Sequence, residues 1–159
     1  MTALLLTGMS GTGKSSVLRE LSSRGFLAVD TDTDEWCEWV ADADGSADWV
    51  WREERIAELL AHRPDGPIFV AGCKSNQAKF YDRFDEVVLL SAPEEVLAAR
   101  IANRDTNNYG KAPGQWAEIL FYIKTVEPLL RSTCTAEIDA TQSLIEVTEQ
   151  VIGLALRAR

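Results

Sequence analysis

Residues 8–15, GMSGTGKS, constrain this chain more than any other segment, because they fit G-x-x-x-x-G-K-[ST] in full. An apolar run, Ala3-Leu4-Leu5-Leu6, precedes them, and Val17, Leu18 and Leu21 follow at helical spacing with Gly25 as the stop. A strand feeding a glycine-rich turn that opens a helix is a built anion cradle. The glycines let backbone N–H groups turn inward, and the helix N-terminus adds free donors and a positive dipole. Gly8, Met9, Ser10, Gly11, Thr12, Gly13, Lys14, Ser15 and Ser16 are therefore expected to bind the phosphates of a nucleotide. Lys14 would reach the β- and γ-phosphates, and Ser15 would ligate Mg2+. No Asn-Lys-x-Asp tetrad is present, so ATP is the expected donor.

The rest of the chain alternates apolar strands with amphipathic helices. Further strands are expected at 26–29, 68–71, 87–90 and 136–138. Helices are expected at 34–40, 49–61, 91–103, 116–126 and from 143 to the C-terminus. The turn residues Pro64-Asp65-Gly66-Pro67 precede the third strand, and Pro128 should end or kink the fifth helix. Ser91/Glu94 and Ser143/Glu146 have capping-box spacing, and Asp34 is expected to cap the helix after the second strand. This order predicts an α/β fold. Its form is a three-layer α-β-α sandwich around a five-stranded parallel sheet, a P-loop NTPase architecture in one domain, 1–159. The acceptor side is expected to be helical, about 31–63, and a short lid to span about 104–114. Loops at the carboxyl ends of the strands would share one crevice.

The net charge of −9 argues against nucleic acid as a partner. There is no apolar run long enough to cross a membrane and no basic leader at MTALLLTG, so a cytoplasmic protein is expected, monomeric or homodimeric. Cys37, Cys73 and Cys134 suit reduced thiols better than disulfides or zinc, and His62 reads as a surface helix end. The acids are concentrated: ten lie between Asp30 and Glu54 against one base, Arg52.

The second strand runs into Asp30-Thr31-Asp32. Alternate residues share a side, so both carboxylates can face the crevice above Lys14. Transfer to a hydroxyl needs a carboxylate to take the proton, and a metal needs an acidic supporter. With the P-loop, this D-x-D resembles the small P-loop kinases that group with shikimate kinase, gluconate kinase and the adenylate kinases. The resemblance implies that Asp30 supports the metal and that Asp32 is the acceptor base. It also implies that the segment after strand four is a lid bringing Arg104, supported by Arg100, onto the transferring phosphoryl group. Asp139-Ala140-Thr141 resembles the turn that packs beside adenine in nucleotide kinases.

Two departures from that family shape the expected substrate. The third strand carries no acidic residue, which leaves metal support to Asp30, and the acceptor region lacks arginine before Arg52. Acids and tryptophans there suit a neutral or cationic hydroxyl compound better than an anion. The expected acceptor-side residues are Asp32, Trp36, Arg52, Cys73, Lys74 and Asn76. The leading expectation is an ATP-dependent kinase of a small-molecule hydroxyl. One alternative is a nucleoside monophosphate kinase using Arg52, Arg55 and Lys74. Another is a nucleotide-sensing module without catalysis.

Overall fold

The computed structural model describes residues 2–62 and 65–158. Arg63 and Pro64, the start of the expected turn, lie outside the described residues. Five strands form one parallel sheet: β1 (Ala3–Thr7), β2 (Leu27–Asp30), β5 (Ile68–Ala71), β6 (Glu86–Ser91) and β7 (Ala136–Asp139), in the order β2-β5-β1-β6-β7. Central β1 is fully buried because both its faces are covered. Leu4 and Leu6 pack with Val17, Leu18 and Leu21 of α1 (Lys14–Ser23) and with Val147 and Val151 of α6 (Leu144–Arg157). Ala3 and Leu5 face the other way, onto Ile56 and Leu60 of α2 (Glu53–Ala61). On that second face Met9 and Leu89 meet Leu97 of α3 (Glu94–Asn103) and Leu130 of α5 (Glu127–Thr133). The expected three-layer α/β sandwich is therefore present. The Ser143/Glu146 capping box forms, and Pro128 sits in the first turn of α5, where α4 (Pro113–Thr125) has already ended. His62 is the exposed C-cap of α2, and the three cysteines are free.

The acceptor side departs from the helical expectation. Residues 34–40 do not form a helix, and 49–51 do not begin one. Instead β3 (Cys37–Ala41) and β4 (Ala47–Trp51) pair antiparallel, Cys37 opposite Trp51 and Trp39 opposite Trp49. The turn explains why. Gly45 adopts φ +85°, its N–H bonds Asp42 O at 3.0 Å, and Asp42 N–H bonds Ser46 O at 2.7 Å. Asp-Gly is a strong hairpin signal, and tryptophan favours a pleated surface. The expected helix at 34–40 is thus replaced by the start of the hairpin, and Asp34 caps no helix. The Ser91 box also fails. Pro93 is the N-cap of α3, and the Ser91 hydroxyl donates to Glu137 on the neighbouring strand at 2.6 Å. Residues Gln77–Arg83 form a 3-10 turn before β6 that the sequence pattern did not suggest. None of the described helices is long and apolar enough to cross a membrane.

Candidate active site

The glycine-rich loop joins β1 to α1 at the carboxyl edge of the sheet. Gly8 has φ +145°, and a Cβ there would lie 2.4 Å from Leu90 O, so only glycine lets the loop pass under β6. Gly13, at φ +95°, is the N-cap of α1 and offers no side-chain cap, which leaves the first-turn N–H groups facing the loop. The Lys14 ammonium donates to Gly8 O at 2.6 Å and to Met9 O at 3.0 Å. Burial lowers its pKa from the ordinary value, while Cys73, Asp32 and Asp30 pull it back up. These charged groups stand at the ends of the second and third sheet strands.

Asp30 and Asp32 flank Thr31, which is fully buried. The Thr31 hydroxyl donates to Ala71 O at 2.6 Å and accepts from the Trp51 indole at 2.7 Å. With Thr31 pinned inward, the two carboxylates turn the other way, Asp30 toward the P-loop and Asp32 toward the loop after β5. Asp30 accepts from the Ser15 hydroxyl at 2.9 Å and from Asp32 N–H at 3.0 Å. Asp32 accepts from Lys74 Nζ at 2.8 Å. The Lys74 side chain is only 10% exposed, and its Nζ lies 4.0 Å from the Trp49 ring centroid. Its backbone N–H bonds Gln77 Oε1 at 2.9 Å. The buried Gln77 amide reaches Thr7 Oγ1 at 3.1 Å, at the root of the P-loop, and Tyr81 OH at 2.9 Å. Gly72 is required here for another reason: a Cβ would stand 2.5 Å from Thr31 Oγ1 and 3.2 Å from the Trp51 ring.

The expected lid is a loop between α3 and α4. Arg104 donates to Ser10 Oγ at 3.2 Å, to Asn107 O at 2.9 Å and to Tyr109 O, so it ties this loop to the P-loop. Partial burial lowers its pKa, but a guanidinium remains charged throughout the physiological range. The Tyr109 hydroxyl bonds Glu118 of α4, and burial together with that carboxylate raises its pKa. Tyr122, one helical turn on, is raised by burial and then by Glu118 and Asp48. Arg100 lies one turn before Arg104 and bridges Gly11 O, at 3.4 Å, to Ala140 O. It thereby links the P-loop to the turn after β7, where Asp139 accepts from Thr141 N–H at 2.9 Å and from its hydroxyl at 2.6 Å.

The structure thus brings Lys14, Ser15, Asp30, Asp32, Cys73 and Lys74 together, with Arg104 across the loop. The remaining acceptor-side candidates form walls rather than free arms. Asn76 pairs with both backbone groups of Trp51, at 3.1 and 3.0 Å. Arg52 holds Asp34 O at 3.1 Å and Glu38 at 3.2 Å. Trp36 packs against the core beneath the hairpin. Trp49, one of the four tryptophans the sequence pointed to, belongs to this neighbourhood, and so do Gln77, Tyr109, Glu118 and Tyr122, which the sequence did not single out. Of those four, only Tyr109 had a local signal, its place in the polar lid segment.

No curated protein matches the chain by sequence. Its fold is similar to a shikimate kinase from Acinetobacter baumannii in complex with shikimate (TM-score 0.66, 18% identity, 100% of this chain and 95% of that one). It is also similar to a gluconokinase from Sinorhizobium meliloti 1021 (TM-score 0.64, 20% identity, 98% and 92%). A shikimate kinase from Bacteroides thetaiotaomicron is comparable (TM-score 0.64, 17% identity, 98% of each chain). The AAA domain family matches residues 4–120, which include the P-loop, both aspartates, the hairpin and the lid. The chain belongs to the AAA domain family of P-loop proteins and has the fold seen in shikimate kinases and gluconokinase.

Proposed function

We propose that the protein is an ATP-dependent kinase that phosphorylates a hydroxyl of a small molecule, with a neutral or cationic acceptor favoured over an anionic one. The observation that carries this is the arrangement of Asp30 and Asp32. One carboxylate is 2.9 Å from the P-loop serine, and the other faces the third loop through Lys74 at 2.8 Å. A donor-side acid and an acceptor-side acid, adjacent and separately engaged, are what transfer from a nucleotide to a hydroxyl requires.

Mg2+ fits at Ser15 and Asp30, two hard oxygen donors within hydrogen-bond distance. No group of three or more potential metal-binding side chains occurs among the described residues. That sparse set suits an ion held largely by phosphate oxygens and water. When bound, the ion supplies charge neutralisation at the phosphates. The protein residues do the rest. Lys14 leaves its loop carbonyls for the β- and γ-phosphates, and Ser10 to Ser16 hold them through backbone N–H groups. Arg100 and the Asp139-Ala140-Thr141 turn flank the base. Asp32 accepts the proton of the attacking hydroxyl, and Arg104 offsets negative charge on the phosphoryl oxygens in the transition state.

The preference against anions follows from which cations are already engaged. Arg52 is paired with Glu38, Arg55 with Glu35 at 3.7 Å, and Lys74 with Asp32. A nucleoside monophosphate acceptor would have to break these pairs, which disfavours that alternative. A screen for acceptor-stimulated ADP release tests the reading. Nucleosides, sugars and amine-bearing polyols form the test set, with shikimate and gluconate as anionic comparisons. Stimulation by a neutral or amine-bearing hydroxyl compound, lost in Lys14→Ala, is expected. Stimulation confined to carboxylated or phosphorylated acceptors would overturn the preference. ATP turnover indifferent to every hydroxyl compound would favour a sensing module.

A further inference from the structure

The two tryptophans at the outer end of the hairpin take no part in the proposed phosphoryl transfer. Trp39 is 70% exposed, an unusual state for the largest apolar side chain. It is the direct cross-strand partner of Trp49, with ring centroids 6.3 Å apart and ring planes tilted by 33°. The pair is continuous with the reaction centre. The inner ring, Trp49, carries the Lys74 ammonium 4.0 Å from its centroid, and that ammonium is 2.8 Å from Asp32. From Asp32 the run of contacts passes through the Lys74 ammonium to Trp49 and then to Trp39.

Resting on the kinase reading above, we propose that the acceptor is a glycoside of at least two rings. One ring presents its hydroxyl to Asp32, and a second stacks on the Trp39–Trp49 platform. The chemistry selects this class on three grounds. The reaction needs a hydroxyl. An exposed indole pair recognises the apolar C–H face of a sugar ring, or a cation on it. The outer hairpin carries a local field that disfavours acids: Asp42 and Asp44 in its turn and Asp48 on the face opposite the platform have no cationic partner among the described residues, and the lysine over Trp49 is paired with Asp32. The second ring is thus uncharged or amine-bearing, never carboxylated.

Calorimetric titration with glucosamine and its β-1,4-linked dimer, in the presence of a non-hydrolysable ATP analogue and Mg2+, tests the proposal. The dimer should bind at least tenfold more tightly than the single ring. Trp39→Ala should bring the two dissociation constants to the same value, and Trp39→Phe should restore the gap. A platform that only braced the hairpin would leave the ratio unmoved by Trp39→Ala, and that result overturns the proposal. So does equal affinity in the unsubstituted protein, or no binding of the dimer. The kinase reading fails differently. If the dimer binds but no hydroxyl compound stimulates ADP release, the platform stands and the phosphotransfer falls. If ADP release responds to a single-ring acceptor and the dimer does not bind, the reverse holds.

Discussion

The donor and acceptor halves of the crevice are built from different materials. The donor half is backbone: a buried strand, a loop forced into shape by glycine at positive φ, and a helix N-terminus, with Lys14 folded onto loop carbonyls. The acceptor half is side chain: Asp32 and Lys74 stand on the loops after β2 and β5, Trp49 on the hairpin and Tyr109 on the loop between α3 and α4. Backbone geometry that must wrap phosphate tolerates little variation. Side chains on an inserted hairpin can be exchanged without disturbing the sheet. On the kinase reading proposed above, the first half fixes the reaction and the second decides the substrate.

The sharpest break in that comparison comes from the donor half. Lys14→Ala should reduce acceptor-dependent ADP release by about 1000-fold, on the scale of losing a principal electrostatic stabiliser. ATP affinity should fall with it, and the far-ultraviolet circular dichroism should be unchanged. A variant that kept its rate would remove the P-loop from the chemistry. Asp32→Asn should come next. A base acts on the acceptor, so kcat should fall by about 100-fold with ATP·Mg2+ affinity nearly untouched. Asp30→Asn should instead raise the Mg2+ concentration for half-maximal rate, because Asp30 holds Ser15 rather than Lys74. One magnesium titration of both variants separates the roles, and the opposite pattern would exchange them.

Arg104 lies between the halves, anchored to Ser10 on one side and Tyr109 on the other. Arg104→Ala should raise the barrier by about 2 kcal/mol, read as a loss in kcat with a smaller change in the affinity for ATP. An effect confined to ATP affinity would make Arg104 a ground-state grip and assign the lid to the donor half alone.

The same division explains what could be read from the sequence. The P-loop, the D-x-D and the strand–helix alternation are local patterns with a fixed spacing, so Lys14, Ser15, Asp30 and Asp32 were legible from the sequence. The hairpin was hidden by Trp36 and Trp39, whose spacing imitates a helical turn, and by acids that read as helix-capping residues. The Asp44-Gly45 turn was the missed signal. Gln77 and Tyr122 could not have been found locally. Gln77 matters because it spans from Lys74 to Thr7, seventy residues away in sequence, and Tyr122 because folding sets it near Asp48. The Ser91 box failed because the Ser91 hydroxyl has a competing partner, Glu137, on the adjacent strand.

The smallest expected effect concerns the stability of the hairpin itself. Its base is part of the core, since Cys37 and Trp51 are 1% and 0% exposed and the Cys37 thiol donates to Thr31 O at 3.0 Å. Burial there pushes the Cys37 thiol up to about 11, so it stays protonated and inert at neutral pH. The outer end, from Trp39 to Ala41 and from Ala47 to Trp49, is held beyond its own ladder by the Lys74 stack, by the Ser75 hydroxyl on Asp48 and by the partly buried Trp49. Local opening free energy should therefore fall along the hairpin from base to turn. Native-state hydrogen exchange should find amides of β1, β5 and β6 exchanging only with global unfolding, and those near Val40 and Asp48 exchanging through a cheaper local event. Trp39→Ala removes one exposed cross-strand aromatic pair, worth about 0.5–1 kcal/mol. It should accelerate exchange at the outer hairpin by a few-fold and leave β1 unaltered. If the hairpin and β1 amides slowed and quickened together, the two halves would be one cooperative unit, and the acceptor side could not be exchanged independently of the sheet that carries it.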